Sequence, residues 1–78
     1  MIRLKMLGIL APLQMVRDTD GYMEIPGDSL TVGELVKISP AQGTDIKYSI
    51  LINKRVASME SRLKDGDMVM FMPLLAGG

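Results

Sequence analysis

One short stretch carries an unambiguous helix signal, and nearly everything around it reads as strand or turn. Thr31 and Glu34 form a T-x-x-E capping box, in which each side chain bonds a backbone donor beside the other. Leu30 precedes the cap and Leu35 stands at the fourth helical position, the spacing of a hydrophobic staple. Val32, Leu35 and Val36 supply an apolar stripe, and Ser39-Pro40 ends the helix, because proline disfavours α geometry in the preceding residue. About two turns of helix cannot stand alone, so tertiary packing must hold them. A chain of 78 residues with one short helix has to lay it across one face of a sheet.

The strands follow from period-two alternation. Ile2, Leu4 and Met6 face one way, with Arg3, Lys5 and Leu7 facing the other. Gly8 to Asp20 is expected to be a connection ending in the Asp18-Thr19-Asp20-Gly21 turn. Tyr22 to Ile25 reads as a second short strand closed by Pro26-Gly27. Pro40 to Lys47 is a polar loop, and Tyr48 to Ile52 is an apolar strand covered on at least one face. Asn53-Lys54-Arg55 is turn-like, Val56-Ala57 a brief edge strand, and Asp65-Gly66-Asp67 a tight turn. Asn53 is expected to cap or bond a turn, and Lys64, Asp65 and Asp67 to be turn and solvent residues. Arg55 and Arg62 are expected on a solvated face. The last strand, Met68 to Met72, is apolar on both faces. Strand, strand, helix, strand, short strand, strand makes an α+β architecture, the β-grasp or ubiquitin-like fold, with a mixed sheet of four to five strands. A single domain spanning residues 1–78 is expected, with residues 74–78 as a flexible tail.

Composition narrows the chemistry. There is no cysteine and no histidine, which removes thiolate nucleophiles, disulfides, the commonest zinc ligands and the usual base for activating a serine. The carboxylates form no paired constellation in the sequence, so no catalytic residues and no metal site are expected, and the chain reads as a non-enzyme. Nine basic residues balance nine acidic ones and aromatic residues make up 4%, which argues against nucleic acid as a partner. Met68 to Ala76 is too short to span a bilayer and contains Pro73. Met1 to Val16 could imitate a secretion signal, but its alternation is that of a strand, so a cytoplasmic protein is expected.

The chain finishes Leu74-Leu75-Ala76-Gly77-Gly78. Two residues without a Cβ can enter a channel too narrow for any side chain; a frayed terminus reads the same way. On the tail alone both readings stand. The last strand raises a second question. Val69 and Phe71 are expected under the helix, which leaves Met68, Met70 and Met72 on the opposite face together with Leu7. Methionines fill irregular cores, and they also form adaptable contact surfaces.

Taken together, Thr31-Val32-Gly33-Glu34-Leu35, Asn53 after an apolar strand, Leu63-Lys64-Asp65-Gly66-Asp67 and Pro73-Leu74-Leu75-Ala76-Gly77-Gly78 resemble the ubiquitin-like sulfur carriers. Among these the chain is most similar to the small subunits of molybdopterin synthase. The thiamine-pathway carriers are related, but are more compact before the helix than Gly8 to Asp20 allows. The resemblance implies that an E1-like adenylating enzyme uses ATP to activate the Gly78 carboxylate. Sulfur from a persulfide enzyme then converts it to a thiocarboxylate, which the synthase large subunit consumes in molybdenum cofactor biosynthesis. Gly77 and Ala76 would thread the partner's channel. Leu7, Val56 and Met72 match the family's partner-facing positions, with Met70, Leu74 and Leu75 extending that surface. No bound cofactor is implied. Three alternatives stay open: a carrier serving the thiamine pathway or another sulfur-transfer pathway, a modifier joined through Gly78 to target lysines, and a plain binding module.

Overall fold

The computed structural model describes residues 1–27 and 29–74. Strand β1 (Ile2–Met6) leads into a 3-10 segment (Gly8–Leu13), followed by β2 (Met23–Ile25) and helix α1 (Val32–Ile38). Then come β3 (Tyr48–Ile52), β4 (Arg55–Val56) and β5 (Met68–Pro73). The five strands form one sheet in the order β2-β1-β5-β3-β4. The central pair, β1 with β5, is parallel, and every other pair is antiparallel. This is the β-grasp arrangement expected from the sequence.

Alternation decides what lies beneath the helix. Ile2 and Leu4 from β1 and Val69 and Phe71 from β5 are fully buried, packed with Val32 and Leu35 of α1. Tyr48 stacks on Phe71 with ring centroids 4.8 Å apart, and its burial raises the phenol pKa. The cap forms as the sequence predicts: Glu34 N–H donates to Thr31 Oγ1 (3.2 Å), and Thr31 N–H donates to Glu34 Oε1 (2.9 Å). The Thr31 N–H, and next the Thr31 hydroxyl donating to the same oxygen, hold the Glu34 carboxyl below its ordinary pKa.

Three local features differ from the sequence reading. The expected plain connection after β1 contains the 3-10 segment, where Leu10 and Leu13 fall three residues apart and share a face. Leu10 is fully buried and closes one end of the core, with Leu13 packed beside it. Gln14, unremarked in the sequence, is buried: its Oε1 accepts from Met6 N–H, while its amide donates to the Val16 and Gly21 carbonyls. It supplies the acceptor that Met6 lacks where β2 has ended, a bond that sequence periodicity does not signal. Asp67 is no solvent residue but is buried, accepting from Lys64 N–H and from the Asn53 amide. Asn53 returns a bond from Met68 N–H to its own Oδ1 (3.1 Å), the turn-bonding role expected of it. Asn53 and Lys54 both have positive φ, 51° and 71°, as a two-residue hairpin between β3 and β4 requires.

Candidate functional site

The sheet face away from the helix has no covering layer among the described residues. Register places its side chains in rows. Lys5, Met70, Leu51 and Val56 lie across one row, since Lys5 pairs with Met70, Met70 with Leu51, and Leu51 with Val56. Met72 pairs with Ser49 in the next row, and Leu7 N–H donates to the Phe71 carbonyl, which sets Leu7 beside it. Thus Leu7, Met70, Met72 and Val56, selected from the sequence, do converge on one surface. Their exposure is graded: Leu7 and Met70 are half-buried, Met72 is 44% exposed and Val56 is 78% exposed.

Leu51 was missed. The apolar run Tyr48 to Ile52 hides its alternation, because residues on both faces are apolar or small. Once Ile50 is assigned to the core, period two puts Ser49 and Leu51 on the open face.

The far end of this face is built differently. Arg3 Nη2 pairs with Asp18 Oδ2 at 2.6 Å and with Asp20 Oδ2 at 3.4 Å, and its guanidinium lies 4.6 Å from the Tyr22 ring centroid. Lys5 Nζ sits 5.4 Å from the same ring and donates to the Asp20 carbonyl. The Asp18 carboxyl is held below its ordinary pKa, first by the Tyr22 backbone N–H and then by Arg3. Arg3 is held more firmly protonated in return, chiefly by its hydrogen bond to Asp18. A shallow depression beside this cluster is lined by Tyr22, Asn53, Lys54, Met68 and Met70.

The apolar end is also where β5 delivers the chain to its C-terminal residues. Pro73 closes the strand, and Leu74, 55% exposed, still donates its N–H to the Lys47 carbonyl at 3.0 Å. Gly8 approaches from the other side with φ +56°, and a Cβ there would meet Pro73 Cγ at 3.0 Å. The root of the tail is therefore fixed between the start of the 3-10 segment and the start of β3. Leu75, Ala76, Gly77 and Gly78, the rest of the predicted site, lie outside the described residues. Among the described residues no three histidine, cysteine or acidic side chains group to hold a metal, and no helix is long and apolar enough to cross a membrane.

No protein-family model matches the chain, and no curated protein matches it. Among solved structures, the crystal structure of SAMP1 from Haloferax volcanii is similar, with a TM-score of 0.67 and 23% identity. The likeness covers 99% of this chain and 98% of that one. At that identity it establishes the fold, a β-grasp of the ubiquitin-like type.

Proposed function

We propose that this protein is a sulfur carrier whose Gly78 carboxylate is the working group, and that it serves as the small subunit of a molybdopterin synthase. The observation that carries the reading is the position of the tail root. Strand β5 sits mid-sheet, its end is tied to Lys47, and beside it lies the uncovered surface of Leu7, Met72 and Val56. A partner seated on that surface receives the tail at a fixed point. The four residues beyond Leu74 reach at most about 14 Å when extended, so docking and delivery have to occur side by side. The sequence resemblance supports the same reading.

The chemistry belongs to the main-chain terminus and to the partners. A carboxylate oxygen of Gly78 attacks the α-phosphorus of ATP on an E1-like enzyme, releasing pyrophosphate and leaving an acyl-adenylate. The terminal sulfur of an enzyme persulfide attacks the activated carbonyl and AMP departs. A second thiol of the donor system cleaves the resulting acyl disulfide, forming a protein disulfide and freeing the thiocarboxylate. The large subunit then transfers that sulfur to the pterin precursor. The carrier needs no cysteine and no histidine for these steps, in keeping with its composition.

Incubation with a cognate activating enzyme, ATP and a persulfide donor should raise the intact mass by the difference of sulfur replacing oxygen. Deleting Gly78 should abolish the gain without unfolding the domain. A thiocarboxylate on the truncated chain would overturn the assignment. In cell extract the protein should be free or non-covalently paired with a larger subunit. A predominance of isopeptide adducts through Gly78 would replace the carrier reading with that of a modifier.

A further inference from the structure

One edge of the sheet is left partly unpaired among the described residues. Strand β3 pairs with β5 through the groups of alternate residues. Leu74 N–H donates to the Lys47 carbonyl and Asn53 N–H to the Met68 carbonyl, so Lys47, Ser49, Leu51 and Asn53 direct their main-chain groups towards β5. Tyr48, Ile50 and Ile52 must direct theirs the other way, towards β4. That strand is only two residues long, pairing Arg55 with Ile52 and Val56 with Leu51. Ala57 N–H adds one bond to the Ile50 carbonyl at 2.8 Å, and the ladder stops there.

Three main-chain groups are left on this edge without a protein partner among the described residues: the Ile50 N–H, the Tyr48 N–H and the Tyr48 carbonyl. Half-made ladders of this kind template the addition of another strand. A half-open cavity of about 300 Å³ lies at the same place, bounded by Tyr48, Ser49, Ile50 and the Val56–Met59 segment. Met59 is 55% exposed at its border. The unpaired groups and the cavity share one place, the gap left where the chain after β4 turns away from β3.

We propose that β3 binds an extended peptide segment of a partner by strand addition, with one aliphatic side chain entering the cavity beside Met59. An antiparallel segment satisfies all three groups. One peptide residue closes both bonds with Tyr48, and the carbonyl two residues away accepts from the Ile50 N–H. A second copy of this chain fits less well, because the Val56–Met59 segment turns the edge into a slot that favours a single strand over another folded sheet. The site uses neither Gly78 nor the tail, so it stands or falls separately from the sulfur chemistry.

Hydrogen exchange on the whole protein tests the premise. The Tyr48 and Ile50 amides should exchange faster than those of Ser49 and Leu51, which are bonded to β5. The probe is the blocked peptide acetyl-Thr-Val-Thr-Val-Thr-amide, titrated to millimolar concentration and followed by amide chemical shifts. It should shift and protect the Tyr48 and Ile50 amides. The same peptide N-methylated at both valines, which removes the donor to the Tyr48 carbonyl in either register, should not. Met59→Ser should weaken binding roughly tenfold by removing the apolar wall. The proposal fails if neither amide gains protection, if the methylated peptide binds equally well, or if the shifts fall on Leu7 and Met72. Protection in the peptide-free protein that rises with protein concentration would instead make a second copy the occupant.

Discussion

The two faces of β5 are built from the same kind of residue and do opposite things. On one, Val69 and Phe71 are fully buried beneath α1, and Phe71 is also stacked on Tyr48. On the other, Met68 and Met70 are half-buried and Met72 is exposed, with no layer above them among the described residues. Hydrophobicity cannot tell these faces apart, because both are apolar from Met68 to Met72. Geometry can. One seven-residue helix covers one side, so apolar atoms on the other side are free to be buried by a partner.

The contrast breaks first at Phe71. Replacing a buried phenylalanine by alanine removes its transfer free energy and leaves a cavity, so Phe71→Ala should cost about 3–5 kcal/mol. For a domain of this size that is a large share of total stability. Urea denaturation is the measurement. A loss no greater than that of an exposed site would mean that the helix does not cover this face.

How much of this was legible in the sequence varied with the kind of bond involved. The helix, its capping box and the central strands were readable, because side-chain chemistry and period two are local signals. The open face was readable in outline from the alternation of Met68, Met70 and Met72 against Val69 and Phe71. Leu51 was lost because its neighbours Ile50 and Ile52 are equally apolar. Gln14 and Asp67 were lost for a different reason. Each is a polar residue buried by a bond to a group distant in sequence, the Met6 N–H in one case and the Asn53 side-chain amide in the other. Nothing near them in the chain announces such a partner. The free edge of β3 depends on where β4 stops, and strand ends are set by tertiary pairing.

Substitutions on the open face sharpen the contrast from the other side. Met72→Glu and Val56→Glu should change stability by no more than about 1 kcal/mol, since each site is substantially exposed and only strand preference opposes the change. Under the proposed function, both should nevertheless weaken binding to the activating enzyme and to the large subunit, because a charge would be desolvated in the contact. Pull-down affinity and melting temperature measured on the same samples separate the effects. Destabilisation as large as that of Phe71→Ala would return Met72 to the core. Unchanged affinity would remove both residues from the interface.

The smallest expected effect lies at the polar end of that face, where Arg3, Tyr22 and Asp18 satisfy one another and leave nothing for a partner to complete. Asp18 has its pKa lowered from the ordinary 3.8, mainly by the Tyr22 N–H and next by Arg3. A carboxyl depressed in the folded state binds its proton more readily when unfolded. Its contribution is therefore fully present above the ordinary value, and fades as pH falls through that value and the lower, folded one. Arg3 stays charged across the window, so the titration belongs to Asp18. Asp18→Asn keeps the shape and one acceptor but removes the charge. The variant should be slightly less stable than the parent near about pH 7, and the gap should close by about pH 2. Because the pair is solvent-exposed, molar salt should narrow the gap at neutral pH as well. Urea denaturation of both proteins across that range is the measurement. A gap that persists undiminished in acid would mean that Asp18 acts through the turn it forms with Asp20 and Tyr22 rather than through its charge.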